Sequence, residues 1–381
     1  MKYVILRCED LTRTAGTVVS LLEGAKTVHL QHLAQAGTGG VLHRRSDEPS
    51  IDRFQFHRGL FGLSATDLEA AAGRCYAAGA RVELTPEETA WCCELITHQD
   101  GTIIDPLAGN IPTKESEVLI RALNGELGAD TRRWEAGQGS HHLLVVRDPS
   151  LAASRDALVK SPELLVGRPW THCLPRGAIR EPLRVLIEQA SKLLETQSIN
   201  RVRVDLGENP ANLVWLWGAA DGQPHQTFRE RTGLSGAMIS SAFPMRGFAS
   251  CLGLDWKSGP TSFDEKTIQQ LMKGVAALIE RRDVVYVHLW VDSADPVERL
   301  CAMERIDQLL LKPLTDMLPR YESWRLLDAI DDRSSGSVLF AGIGSELPSH
   351  PVAHLDGERV AATGLSVEDV GALYAWFTRA A

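Results

Sequence analysis

No apolar stretch of the 381-residue sequence approaches the ~20 residues of a membrane-spanning helix. The longest, residues 284–291, is interrupted by His288. The opening Met1-Lys-Tyr-Val-Ile-Leu6 meets charge at Arg7 and Glu9, without the longer apolar segment and small-residue cleavage site of a secretion signal. A cytoplasmic protein with no membrane partner is expected. Basic residues are too few for a polyanion: 40 Lys and Arg stand against 49 Asp and Glu, a net charge of -9, and no basic run is interleaved with aromatics. That balance opposes a phosphate backbone and excludes nucleic acid as an expected partner. The seven cysteines form no Cys-x-x-Cys pair. Their odd number and the vicinal Cys92-Cys93 suit apolar core positions in a reducing compartment better than a disulfide framework. Several catalytic templates are also missing. Gly37-Thr-Gly-Gly40 lacks the Lys-Ser/Thr of a phosphate-binding loop, and neither Gly-x-Gly-x-x-Gly nor Gly-x-Ser-x-Gly occurs.

What is there reads as strands alternating with helices. A first strand over residues 2–7 is followed by helical patterns at 18–22 and 29–36, glycine punctuation at 37–40, and a polar loop over 44–58. Residues 81–97 and 141–146 read as strands, and 113–127 as an amphipathic helix with Thr113 as its N-cap. Proline and serine become frequent over 148–182. A helix over 183–196, strands near 209–218 and 235–241, a helix over 264–281, the β-branched run 283–291, a helix over 296–311 and a strand over 324–330 complete the order. Such alternation at both ends of a chain predicts an α/β fold: one doubly wound, mostly parallel sheet interrupted by an inserted smaller α+β domain. The expected boundaries are 1–65 plus 183–381 for the core and 66–182 for the insertion.

The most distinctive motif is Asn209-Pro-Ala-Asn-Leu-Val-Trp-Leu-Trp-Gly218, a turn leading into a buried strand. It closely resembles the Asn-Pro-Ala-Asn-x-x-Trp-Leu-Trp-Gly signature of the archaeal-type cofactor-independent phosphoglycerate mutases, metal-dependent enzymes of the alkaline phosphatase superfamily. Pro86-Glu-Glu-Thr-Ala-Trp-Cys-Cys-Glu-Leu-Ile-Thr97, Asp105-Pro-Leu-Ala-Gly-Asn-Ile-Pro-Thr113, Gly139-Ser-His-His-Leu-Leu-Val-Val146, Leu174-Pro-Arg-Gly177, Tyr286-Val-His-Leu289 and Glu304-Arg-Ile-Asp307 are similar to other motifs of that family, in its order. The resemblance implies an alkaline phosphatase-like core. It also implies interconversion of 3- and 2-phosphoglycerate through a phosphoserine, with two divalent cations that activate the serine and clamp the phosphoryl group.

Carried over position by position, that equipment is altered. The first metal-binding carboxylate corresponds to Glu9 or Asp10. The nucleophile motif falls on Pro49-Ser50-Ile51-Asp52, or on Ile51-Asp52-Arg53-Phe54 leading to His57; neither places a serine in register, although Ser50 is adjacent. Of the later metal motifs, Asp292 survives without its histidine, Asp331-Asp332 exchanges an imidazole for a carboxylate, and the last histidine aligns with Leu347. In the substrate loop the family's arginine aligns with Ala72, with Arg74 two positions on. His142 and Arg176 are the further substrate-binding candidates.

The expected metal set is therefore Glu9, Asp10, Asp292, Asp331 and Asp332, holding one magnesium or manganese ion or none, against the alternative of solvated loop carboxylates and helix caps such as Asp295. His288 reads as a satisfied core imidazole, Trp215 and Trp217 as core, and His29 and His32 as surface residues. The expected function is that of a divergent mutase homologue with an eroded nucleophile and metal site. Such a protein binds a small phosphorylated or acidic ligand, or a protein partner, with little or no turnover. The alternative is an active mutase or phosphatase using Ser50 and a rearranged metal site.

Overall fold

The computed structural model describes residues 1–9, 21–43, 55–63, 72–152, 159–222, 226–291, 293, 295–332 and 337–379. In chain order the strands are β1 (Lys2–Glu9), β2 (Thr38–Leu42), β3 (Thr89–Gln99), β4 (Thr102–Asp105), β5 (Arg132–Gln138), β6 (His141–Val146) and β7 (Leu213–Asp221), then β8 (Gly236–Ser240), β9 (Asp255–Ser258), β10 (Val284–Trp290), β11 (Trp324–Asp332), β12 (Ser337–Gly344) and β13 (Leu365–Val367). They form two sheets. The larger has the order β13-β2-β12-β11-β1-β10-β8-β9. Five of its pairings are parallel, and only β12 runs against its neighbours β11 and β2.

Strand β1 sits between β10 and β11, with Arg7 opposite His288 on one side and Ala329 on the other. Strands buried on both faces read as apolar runs, and both β1 and β10 do. Alternation divides their side chains between two cores. Tyr3, Ile5 and Tyr286 enter one, while Val4, Leu6, Cys8, Val285, Val287 and Leu289 enter the other.

The Gly37–Gly40 punctuation proves to begin an interior strand. A Cβ at Gly39 would lie 2.2 Å from Val352, and one at Gly40 would lie 2.1 Å from the Phe340 ring. The glycines are there because neighbouring side chains lie over the strand, and no turn is formed at this point. Helix Thr113–Leu127 takes Pro112 as its N-cap; Thr113 instead accepts a 3.0 Å hydrogen bond from the Gly139 amide. Asp264 and Asp295 cap the helices that follow them.

The smaller sheet is built around β3, which pairs antiparallel with β6, β7 and, at its end, β4; β5 lies outside β6. This layer extends past residue 183. Helix Arg180–Thr196 packs on β7, which is itself paired with β3, and the chain returns to the larger sheet only at β8. The Asn-Pro-Ala-Asn turn is accounted for by local bonds. Asn209 Nδ2 donates to Asp105 (2.7 Å), Ala211 exchanges two hydrogen bonds with Asn200, and Asn212 exchanges two with the His98 backbone. Trp215 and Trp217 are fully buried.

The two layers are joined where helix Ala72–Ala80 crosses helix Phe243–Cys251. The backbones touch there, and a Cβ on Gly247 would lie 1.7 Å from the Cys75 carbonyl oxygen. On the far face of the larger sheet, a cavity of about 20 Å³ is lined by Cys8, Thr27, Asp307, Asp328 and apolar neighbours. That is room for one water molecule.

Candidate metal centre

At the carboxyl ends of β1, β8, β10 and β11, side chains of matching parity converge on Glu9, whose side chain is 26% exposed. Three cationic or potentially cationic groups surround it. His57, from helix Gln55–Gly59, places Nε2 3.3 Å from Glu9 Oε1. His288 places Nε2 3.3 Å from Oε2. Arg7 places Nη2 3.3 Å from Oε1 and 2.6 Å from Asp331 Oδ1. Arg7 is 1% exposed and lies with its guanidinium carbon 4.1 Å from the centre of the Phe56 ring. Its Nη1 donates to the carbonyls of Cys8 and Ala329.

Both imidazoles are oriented from behind. His57 Nδ1 is 2.6 Å from the Tyr286 hydroxyl, and His288 Nδ1 is 2.7 Å from the Ser240 hydroxyl, which also accepts from the Ala242 amide. Hydroxyls donate or accept as required, so either ring carries its proton on Nδ1 or on Nε2. Burial raises the Tyr286 phenol well above its ordinary range, keeping the hydroxyl intact. Burial also works to raise the Glu9 carboxyl, but His57, Arg7 and His288 outweigh it and hold the group well below the usual carboxylate range. His57 is shifted downward, chiefly by burial and against the pull of Glu9.

The set fits one divalent cation. A carboxylate oxygen and two imidazole nitrogens lie within 4.8 Å of one another, the span that ligands around a single ion require. The Nε2 of His288 is buried, and Glu9, at 3.3 Å without good hydrogen-bond alignment, is the group it faces. Hydroxyls behind the two Nδ1 atoms can accept from Nδ1–H, the arrangement that leaves both Nε2 lone pairs available to the ion. Mixed nitrogen and oxygen donors suit manganese or zinc better than magnesium or calcium.

The expected site residues are dispersed. Glu9 and His57 belong to the centre. Asp331, 4% exposed, is bound by Arg7 and so is not free to join them. The backbone of Asp332 pairs with Ser337. Asp10, Ser50 and Asp292 lie outside the described residues. Arg74 is held by the carbonyl and carboxylate of Asp221 at the end of β7. Fully buried His142 accepts from the Gly137 amide, and burial pushes its pKa down to about 3, so it is a neutral core group. Arg176 is exposed in the turn before helix Arg180–Thr196. His288, read as a satisfied core residue, instead reaches the centre. The signal was a single imidazole near the carboxyl end of the most apolar strand. Arg7 and Ser240 had no signal beyond their positions on strands, whereas Tyr286, like His288, lay in the Tyr286-Val-His-Leu289 resemblance.

The fold is the alkaline phosphatase-like α/β fold of the cofactor-independent phosphoglycerate mutases. The Thermoplasma acidophilum cofactor-independent phosphoglycerate mutase superposes with a TM-score of 0.60 at 20% identity, over 99% of both chains. A Pyrococcus horikoshii protein superposes with a TM-score of 0.70 at 16% identity, over 100% of this chain and 98% of that one. The family model for 2,3-bisphosphoglycerate-independent phosphoglycerate mutase matches residues 56–200. The 2,3-bisphosphoglycerate-independent phosphoglycerate mutase of Methanothrix thermoacetophila is 30% identical over 340 residues, covering 86% of this chain and 84% of that one. The probable enzyme of that name from Geobacter sulfurreducens is 28% identical, covering 97% of each. The chain belongs to the 2,3-bisphosphoglycerate-independent phosphoglycerate mutase family.

Proposed function

We propose that this chain is a divergent member of its family that holds one divalent cation on Glu9, His57 and His288 and binds a small phosphorylated or acidic ligand there, without two-cation phosphoryl transfer. One observation carries the reading: two oriented imidazoles and a carboxylate meet at the mouth of the sheet, where open α/β folds bind ligands. A cation there supplies a localised positive charge for a phosphate or carboxylate oxygen. The chain's own residues hold and orient it. Tyr286 and Ser240 set the imidazole rings, and Glu9 stays ionised to balance the charge. A second reading, turnover of phosphoglycerate with Ser50 as nucleophile, is favoured by the activity in the names of relatives that match across nearly the whole chain.

The test is ³¹P NMR of 3-phosphoglycerate incubated with the protein and manganese or magnesium, beside calorimetric titration of the same ligand. Cation-dependent binding without a 2-phosphoglycerate resonance is expected. Conversion that is lost on Ser50→Ala replaces the first reading with the second.

A further inference from the structure

We infer that Arg7 is a built-in counter-cation: its guanidinium occupies the position between Glu9 and Asp331 that a second divalent ion would otherwise take, and thereby limits the centre to one ion. The inference deepens the single-cation reading above and rests on it.

The geometry is a carboxylate–guanidinium–carboxylate bridge. One nitrogen, Nη2, lies 2.6 Å from Asp331 Oδ1 and 3.3 Å from Glu9 Oε1. Asp331 is 4% exposed and the Glu9 side chain 26%, and two carboxylates that share one nitrogen partner in so confined a place need a positive charge between them. Arg7 supplies it and is not free to leave. Its other terminal nitrogen is bound to the Cys8 and Ala329 carbonyls, its guanidinium carbon lies over the Phe56 ring, and the side chain is 1% exposed.

A guanidinium is not deprotonated in proteins, so the charge between the two carboxylates is permanent. A second divalent ion would meet a fixed positive charge in contact with both of its oxygen donors. Replacing Arg7 by a neutral side chain leaves Glu9 and Asp331 facing across the vacated volume. Two hard oxygen donors beside an existing ion site are what manganese or magnesium takes.

The experiment is bound manganese per folded chain, by equilibrium dialysis and elemental analysis, for the wild type, Arg7→Lys and Arg7→Gln, with folding checked by circular dichroism. One ion is expected for the wild type and the lysine variant, and two for Arg7→Gln, falling back to one when Asp331→Asn is added. Arg7→Gln binding the same number as the wild type overturns the inference. None in the wild type and one in Arg7→Gln sinks the single-cation reading while leaving the role of Arg7 standing. Manganese EPR of the saturated wild type makes the test independent of any variant's folding. A lone uncoupled ion is expected, and the spectrum of an exchange-coupled pair overturns the inference.

Discussion

Asp328 lies on the opposite face of β11 from the candidate centre. It is 2% exposed, and the Cys8 thiol, 3.9 Å away, is its one hydrogen-bond partner among the described residues. Burial, with a smaller contribution from the nearby Asp307 carboxylate, pushes its pKa up from 3.8 to about 7. A carboxyl with a raised folded-state pKa holds its proton longer when folded than when unfolded. Stability contributed by this site therefore falls as pH climbs from about 4 to about 7, and the whole penalty applies above that window. Each tenfold change in proton affinity is worth about 1.4 kcal/mol, so the penalty at alkaline pH is on the order of 4 kcal/mol. Asp328→Asn keeps the shape and removes the ionisation. The variant is expected to melt roughly 5 °C above the wild type at pH 8.5, with the gap closing to about a degree at pH 4. The pH dependence of the difference carries the test, because carboxylates common to both proteins cancel. Equal melting temperatures at pH 8.5, or a variant less stable there than the wild type, would refute the assignment of Asp328 as a buried acid with its charge uncompensated.

Two further outcomes follow from named contacts. Tyr286→Phe removes the hydroxyl 2.6 Å from His57 Nδ1. Manganese affinity measured by calorimetry is expected to fall by about 10- to 100-fold, and an unchanged affinity would remove His57 from the ligand set. Gly247→Ala puts a Cβ 1.7 Å from the Cys75 carbonyl at the helix crossing. A loss of roughly 3 kcal/mol in urea unfolding is expected, and an unshifted midpoint would show that the helices separate freely.

Much of the fold was legible because it depends on local periodicity. The apolar run of β10, the Asp295 cap and the alternation of strands with helices each follow from residues close together in the chain. What was not legible depends on partners far apart in sequence. Gly39 and Gly40 lie in a strand because Val352 and Phe340 cover them, and nothing in Gly-Thr-Gly-Gly announces either. β7 joins the smaller sheet because it pairs with β3; its own sequence states only that it is buried. The centre shows the same division. Glu9 stood out as a carboxylate ending a strand, but its imidazoles come from His57 and from His288, more than two hundred residues away on β10. The Asp331 carboxylate belonged with Arg7 once the two parallel strands were side by side.

The most direct measurement is anomalous diffraction at the manganese edge from crystals grown with manganese in excess. A single peak is expected, within bonding distance of Glu9, His57 Nε2 and His288 Nε2. No peak there, or a second one between Glu9 and Asp331 with Arg7 displaced, would contradict a one-cation centre.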